Sequence, residues 1–172
     1  MATDSCGYDI EDVSRHYAKY RTNCPPELYE RIIQYHDEGS EANGSRELAV
    51  DIGCGCGGST LALAKHFKTV IGIDNSETQL NVAMPASAEF GNVFYKLGPA
   101  ESVSSLVTKE SVDLVTVGSA LHWFQVATFY EECLKILKPD GTLAVYTHSL
   151  PVYDNPEANR LLYGVRLFCL IL

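Results

Sequence analysis

The residues best suited to chemistry fall in one short stretch. Asp51-Ile52-Gly53-Cys54-Gly55-Cys56-Gly57-Gly58 closes an apolar run, ELAVDI, and its glycines let the backbone turn tightly and approach a ligand that a Cβ would exclude. A second carboxylate, Asp74, ends another apolar run, TVIGI, 23 residues after Asp51. An acid placed there can accept hydrogen bonds from both hydroxyls of a ribose. Together the two features predict a nucleoside-containing cofactor. Gly53, Gly55 and Gly58 also satisfy G-x-G-x-x-G, so a nicotinamide-dependent (NAD(P)) oxidoreductase is one reading. Asp51 weighs against it, because an acid two residues before the first glycine suits a cationic ligand group and repels a pyrophosphate.

A second group of candidates follows SVDLVTV. Gly118-Ser119-Ala120 can present backbone carbonyls to an ammonium group, and His122-Trp123-Phe124 mixes a titratable ring with large apolar ones. His122 titrates near neutrality, so it suits a role in accepting a proton from an acceptor group or in orienting it. A carboxylate acceptor is already ionised and needs only the orienting role. Trp123 fits a wall of the acceptor site or simple core packing. Asp113 reads as a structural hydrogen-bonding residue rather than a catalytic one.

These residues need elements to hold them. The run from Glu47 to Ile52 reads as a buried strand, Ser59 to Phe67 as a helix, and Thr69 to Ile73 as a β-branched strand. Asn75 or Ser76 caps a helix running to Met84, where Pro85 breaks it. Asn92 to Lys96, Ser111 to Val117 and Thr142 to Thr147 read as further strands, with a helix from Phe124 to Leu137 stopped by LKPDG. Alternation of this kind predicts an α/β fold, a parallel sheet with helices on both faces and right-handed crossovers. Ahead of it, Asp9 to Gln34 reads as helical with a break at Cys24-Pro25-Pro26. There Arg21 can pair with a carboxylate in bidentate fashion, and Tyr17 and Tyr20 can close over a site.

Composition narrows the function classes. The 172 residues include 13 Lys and Arg against 22 Asp and Glu, a formal charge of −9 that disfavours nucleic acid as a partner. A polar, acidic start, MATDSCGYDIEDVSRH, does not read as a signal peptide, so a cytoplasmic location is expected. Six scattered cysteines are expected to remain thiols there. Cys54 and Cys56 form a C-x-C without the partners of a zinc site, and no metal is expected.

The order V-D-I-G-C-G-C-G, G-I-D, D-L-V and L-K-P-D-G-T-L, over residues 47 to 147, resembles the class I S-adenosylmethionine-dependent methyltransferases. Within them, Y-A-K-Y-R-T-N-C-P-P-E-L and S-A-L-H-W-F resemble the trans-aconitate methyltransferase-like group, also called methyltransferase type 11. The group usually has R-P-x-Y-P where this chain has Arg21-Thr22-Asn23-Cys24-Pro25. The resemblance implies a Rossmann-like fold, S-adenosyl-L-methionine as cofactor, and methylation of a small, carboxylate-bearing acceptor. It implies that Gly53, Gly55 and Gly57 line the methionine part of the cofactor, with Asp51 toward its ammonium. Asp74, assisted by Asn75, would hold the ribose. Gly98-Pro99-Ala100-Glu101 would form the adenine loop, where Pro99 replaces a usual acid and leaves the Ala100 amide or Glu101 to make the contact. Tyr20, Arg21, Gly118 and Ser119 complete the expected cofactor set, with His122 and Trp123 as the catalytic candidates.

In that superfamily the sheet continues past strand five into an antiparallel hairpin, whereas only 25 residues follow Thr147 here. The expectation is a truncated chain divided into a helical lid (1–46), a cofactor-binding core (47–150) and an atypical tail (151–172). The final antiparallel strand hairpin would be missing, leaving TLAVYT as an exposed sheet edge unless the tail covers it. A cofactor-binding but inactive protein is therefore the alternative to an active enzyme.

Overall fold

The computed structural model describes residues 20, 24–39, 45–147 and 170–171. Helix α1 spans Pro26–Gly39 and starts on a proline, whose missing N–H falls at a position that has no helical acceptor. The core then alternates: β1 (Leu48–Ile52), α2 (Gly58–Leu63), β2 (Thr69–Asp74), α3 (Glu77–Ala86) and β3 (Val93–Leu97). A 3-10 turn (Ala100–Ser105), β4 (Val112–Gly118), a second 3-10 turn (Leu121–Trp123), α4 (Val126–Ile136), β5 (Leu137–Tyr146) and β6 (Leu170–Ile171) follow.

The strands form one sheet in the order β3-β2-β1-β4-β5-β6, with every pair parallel except β5 with β6. Chain order runs outward from β1 to β3 on one side and from β4 onward on the other. The reversal between β1 and β4 opens the crevice beyond their carboxyl ends where such sheets bind ligands. β4 lies centrally with all its residues buried, which is why VDLVTV carries apolar side chains toward both faces, and its two polar residues, Asp113 and Thr116, are both hydrogen-bonded.

Period-two alternation divides the core. One face carries Ala49, Val70, Leu114 and Ala144 against Tyr29, Ile32 and Ile33 of α1 and Leu63 of α2. The other carries Val50, Ile73, Val115 and Val117 against Val103 of the first 3-10 turn and Phe129, Cys133 and Ile136 of α4. Phe129 is fully buried, so truncating it to alanine is worth about 3–5 kcal/mol.

Two expectations need correction, and one left open is decided. Pro85 does not end α3, which runs to Ala86. The helix has one residue left at that point, and the Ser87 amide closes its last turn onto the carbonyls of Ala83 and Met84. LKPDG does stop α4, but its residues are already in β5: Leu137 pairs with Val112, and the ladder resumes at Leu114 and Thr142 after a register shift. The edge of β5 is not wholly open, since Leu170 and Ile171 pair antiparallel with Val145 and Ala144.

Asp113 stands at the opposite end of β4 from the crevice. It accepts from the Glu47 and Leu48 amides at 3.0 and 2.9 Å and from Lys138 Nζ at 2.6 Å. Burial pushes its carboxyl up, but Lys138, the Leu48 amide and Ser45 outweigh that and hold it below its ordinary value. On α4, Lys135 and Ser104 hold Glu132 down from 4.5 to about 2. A depressed acid stabilises the fold above its unfolded value and loses that contribution as pH falls through the folded one. Urea melts are therefore expected to show stability falling between about 4.5 and about 2, with a shallower fall in Glu132→Gln. Identical slopes in the two proteins would rule out the Glu132 contribution.

Candidate functional site

The loop after β1 is held in an unusual shape. Gly53, Gly55 and Gly57 all take positive φ, at 70°, 54° and 84°. Gly57 is also confined: a Cβ there would stand 2.4 Å from the Tyr95 hydroxyl and 3.2 Å from Ala83 Cβ. Gly53 lies against the crevice's far wall, where a Cβ would meet Ala120 Cβ at 2.5 Å and Phe124 at 3.1 Å. Gly55 differs, with nothing nearer than Gln79 Oε1 at 3.7 Å.

Two carboxylates fix this loop from below and beside. Asp51 is buried and accepts from Thr60 Oγ1 at 2.7 Å and Thr116 Oγ1 at 2.8 Å. Thr116 is its register partner on β4, so the parallel pairing itself supplies one of these donors. Asp74 accepts from the Gly55 amide at 2.7 Å and from the Ser76 amide at 2.9 Å. Burial raises its pKa, and the Ser76, Gly55 and Asn75 amides oppose that rise. Ser76, not Asn75, caps α3, through the Gln79 amide; Asn75 stays exposed beside Asp74.

Ala100 opens the first 3-10 turn, where an amide has no acceptor within the turn. Glu101 accepts from the Gln125 amide at 2.7 Å and so ties this turn to the start of α4. Across the crevice, Gly118 ends β4, and Ser119 takes a positive φ of 57°, rare for a residue with a side chain. The Ser119 amide donates to the Tyr146 carbonyl at 2.7 Å. His122 and Trp123 are exposed, their rings 4.9 Å apart, and Trp123 at 65% exposure is not a core residue. Tyr20 is exposed, while Tyr17 and Arg21 lie outside the described residues.

Sequence reasoning missed the tyrosines that brace the loop. Tyr95 pairs in register with Gly72, so its ring lies across that glycine and its hydroxyl reaches Gly57. Tyr146 pairs with Gly118 and its ring crosses that glycine in the same way, reaching Ser59 of α2 at 2.8 Å. The readable signal was a glycine inside one strand and a tyrosine in the next. Cys54, buried against Gly72, has its thiol pushed well up by burial, then by Asp51 and Asp74, which marks it as packing rather than reactive. Among the described residues no group of three or more His, Cys, Asp or Glu is placed to hold a metal.

Residues 50–145 match the methyltransferase domain family. The chain belongs to that family. A Dictyostelium discoideum protein described as a methyltransferase is 38% identical over 143 residues, covering 83% of this chain and 50% of that protein. A Saccharomyces cerevisiae protein described as an S-adenosylmethionine-dependent methyltransferase is 34% identical over 154 residues, covering 87% and 50%. A solved structure described as a type II methyltransferase from Anaeromyxobacter dehalogenans superimposes with a TM-score of 0.66 at 29% identity, covering 84% of this chain and 57% of that one. The chain thus spans about half the length of the curated relatives it matches. The fold is the Rossmann-like one of class I methyltransferases, and the cofactor that goes with this family is S-adenosylmethionine, not a nicotinamide.

Proposed function

We propose that the chain binds S-adenosylmethionine at the carboxyl ends of β1, β2 and β4 and supports methyl transfer to a small, carboxylate-bearing acceptor. The observation that carries this reading is the glycine loop: three successive left-handed glycines, with Asp74 bonded to the Gly55 amide between them. The fit to the cofactor is favourable. Gly55 leaves room at the loop, and a carboxylate offers about four acceptor positions, so Asp74 keeps capacity for a ribose hydroxyl. Exposed Asn75 stands beside that position, and the Ala100 amide, at the start of the first 3-10 turn, suits the adenine.

The bound cofactor supplies a sulfonium methyl open to in-line displacement. The chain's task is then alignment and exclusion of water. Gly118 and Ser119 carbonyls suit the ammonium, with Tyr20 and Arg21 as further contacts from the N-terminal segment. Glu101, already holding Gln125, shapes the adenine side through that bond. His122 orients the acceptor or takes its proton, and Trp123 covers it.

Calorimetry with S-adenosylhomocysteine beside a radiolabelled methyl-transfer assay on a panel of small carboxylic acids tests the proposal. Binding with transfer supports it; absence of binding overturns it. A second reading is a cofactor-binding protein without turnover, and binding without transfer would support that one. His122→Ala is expected to leave cofactor affinity within about twofold while lowering transfer by roughly tenfold or more. Equal loss of both would move His122 into the cofactor's support instead.

A further inference from the structure

One end of the sheet is an open strand. β3 pairs with β2 on one side, and no other described strand lies on its far side. The Val70 amide donates to the Asn92 carbonyl, and the Gly98 amide donates to that of Asp74. In a parallel ladder alternate residues bond to one neighbour, so Phe94 and Lys96 spend their peptide groups on β2. Tyr95 and Leu97 therefore aim both N–H and C=O out of the sheet. Val93 aims its carbonyl the same way, while its amide turns back to the Phe90 carbonyl at 3.5 Å.

Proteins blunt such edges with proline, bulges or free lysines. VFYKL holds no proline, and its register with β2 runs unbroken from Val93 to Leu97. The Lys96 ammonium is drawn aside to the Leu106 carbonyl at 2.6 Å. Phe94 and Leu97, in contrast, stand 53% and 52% exposed. The Tyr95 ring lies over Gly72, inward of the edge, and leaves the edge itself clear.

We propose that a second copy of this chain pairs antiparallel along β3, about a two-fold axis at Tyr95. In that register the two Tyr95 residues exchange both bonds, and each Leu97 amide meets the Val93 carbonyl of the second copy. Phe94 falls opposite Lys96 on either side of the axis, so the lysine stem covers the exposed ring. Other registers do worse. A slip of one residue sets outward groups against those already spent on β2. A slip of two either places Lys96 opposite Lys96 or leaves Leu97 facing Gly91, outside the strand. This self-complementarity is what selects a second copy, because an isologous contact must match its own surface. The strands run opposite ways across the axis, so the two crevices open at opposite ends of the joined sheet and neither blocks the other.

Sedimentation and amide hydrogen exchange on the full chain, across micromolar to millimolar concentrations, test the proposal. A dimer is expected to form as concentration rises. The Tyr95 and Leu97 amides should slow with it, while those of Phe94 and Lys96, already bonded to β2, should not change. Phe94→Lys sets like charges opposite each other and should weaken the dimer about tenfold or more. Adding Lys96→Glu restores opposite charges and should bring back most of that loss, with circular dichroism reporting that both variants are folded. A monomer whose Tyr95 and Leu97 amides exchange freely at every concentration overturns the proposal, and that arm needs no variant. A monomer in which they are protected overturns it too, by placing another segment of this chain on the edge. A dimer indifferent to Phe94→Lys joins through a different surface, and failure of Lys96→Glu to restore pairing overturns the register about Tyr95.

Discussion

Asp74→Asn is expected to weaken S-adenosylhomocysteine binding by about a hundredfold, because in the proposed site one carboxylate serves both the loop and the ligand. Its two oxygens accept from the Gly55 and Ser76 amides. An asparagine offers one oxygen and one NH2 in the same place, so one of those amides would face a donor instead of an acceptor. The loop then loses either its tie to β2 or the start of α3, and the ribose loses a charged acceptor. Calorimetry gives the affinity and a thermal melt gives the stability. A variant that melts earlier yet binds as before would show that Asp74 holds the loop without touching the ligand.

The same residue predicts opposite responses to acid in the free and bound protein. Burial raises the Asp74 pKa, so the folded chain holds that proton more tightly than the unfolded one. Its ionisation therefore costs the free protein stability as pH rises, and acidification relieves that cost. The proposed ribose contact needs the ionised form, and affinity is then expected to fall as pH drops through the raised value, sooner than for an ordinary carboxylate. In Asp74→Asn this portion of the pH dependence disappears.

The fold was legible where local pattern and tertiary placement agree. VDLVTV is apolar toward both sides because β4 is covered on both faces, and the glycine run and Asp74 mark the carboxyl ends of β1 and β2, beside the reversal of strand order between β1 and β4. What escaped was set by register between distant strands. Tyr95 opposite Gly72 and Tyr146 opposite Gly118 brace the loop only because those pairs align, and no local spacing contains that information. Glu101 was expected at the adenine loop, but its bond to the Gln125 amide, 24 residues away at the head of another helix, was not legible for a related reason. Pro85 misled because its helix-breaking cost falls on the turn before it, and α3 was already ending.

Gly57→Ala is expected to destabilise the fold by about 2–5 kcal/mol and to abolish cofactor binding at ambient temperature, through two separable causes. The first is the backbone: φ of 84° is left-handed, and an L side chain there costs about 1–2 kcal/mol. The second is contact, since the new Cβ would sit 2.4 Å from the Tyr95 hydroxyl. Tyr95→Phe removes that oxygen and leaves the ring's Cζ at 3.3 Å and Ala83 Cβ at 3.2 Å, close but able to give. A double-mutant cycle in urea therefore separates the terms: Gly57→Ala with Tyr95→Phe should recover about 1–3 kcal/mol, the overpacking share, and retain the backbone share. If the two changes simply add, the hydroxyl does not limit the site and the whole penalty belongs to the left-handed backbone. If the double variant returns to the stability of Tyr95→Phe alone, the loop has left its positive φ. Ligand binding then reports whether that relaxed loop still accepts the cofactor, which decides whether the left-handed backbone serves the ligand or only the packing beneath it.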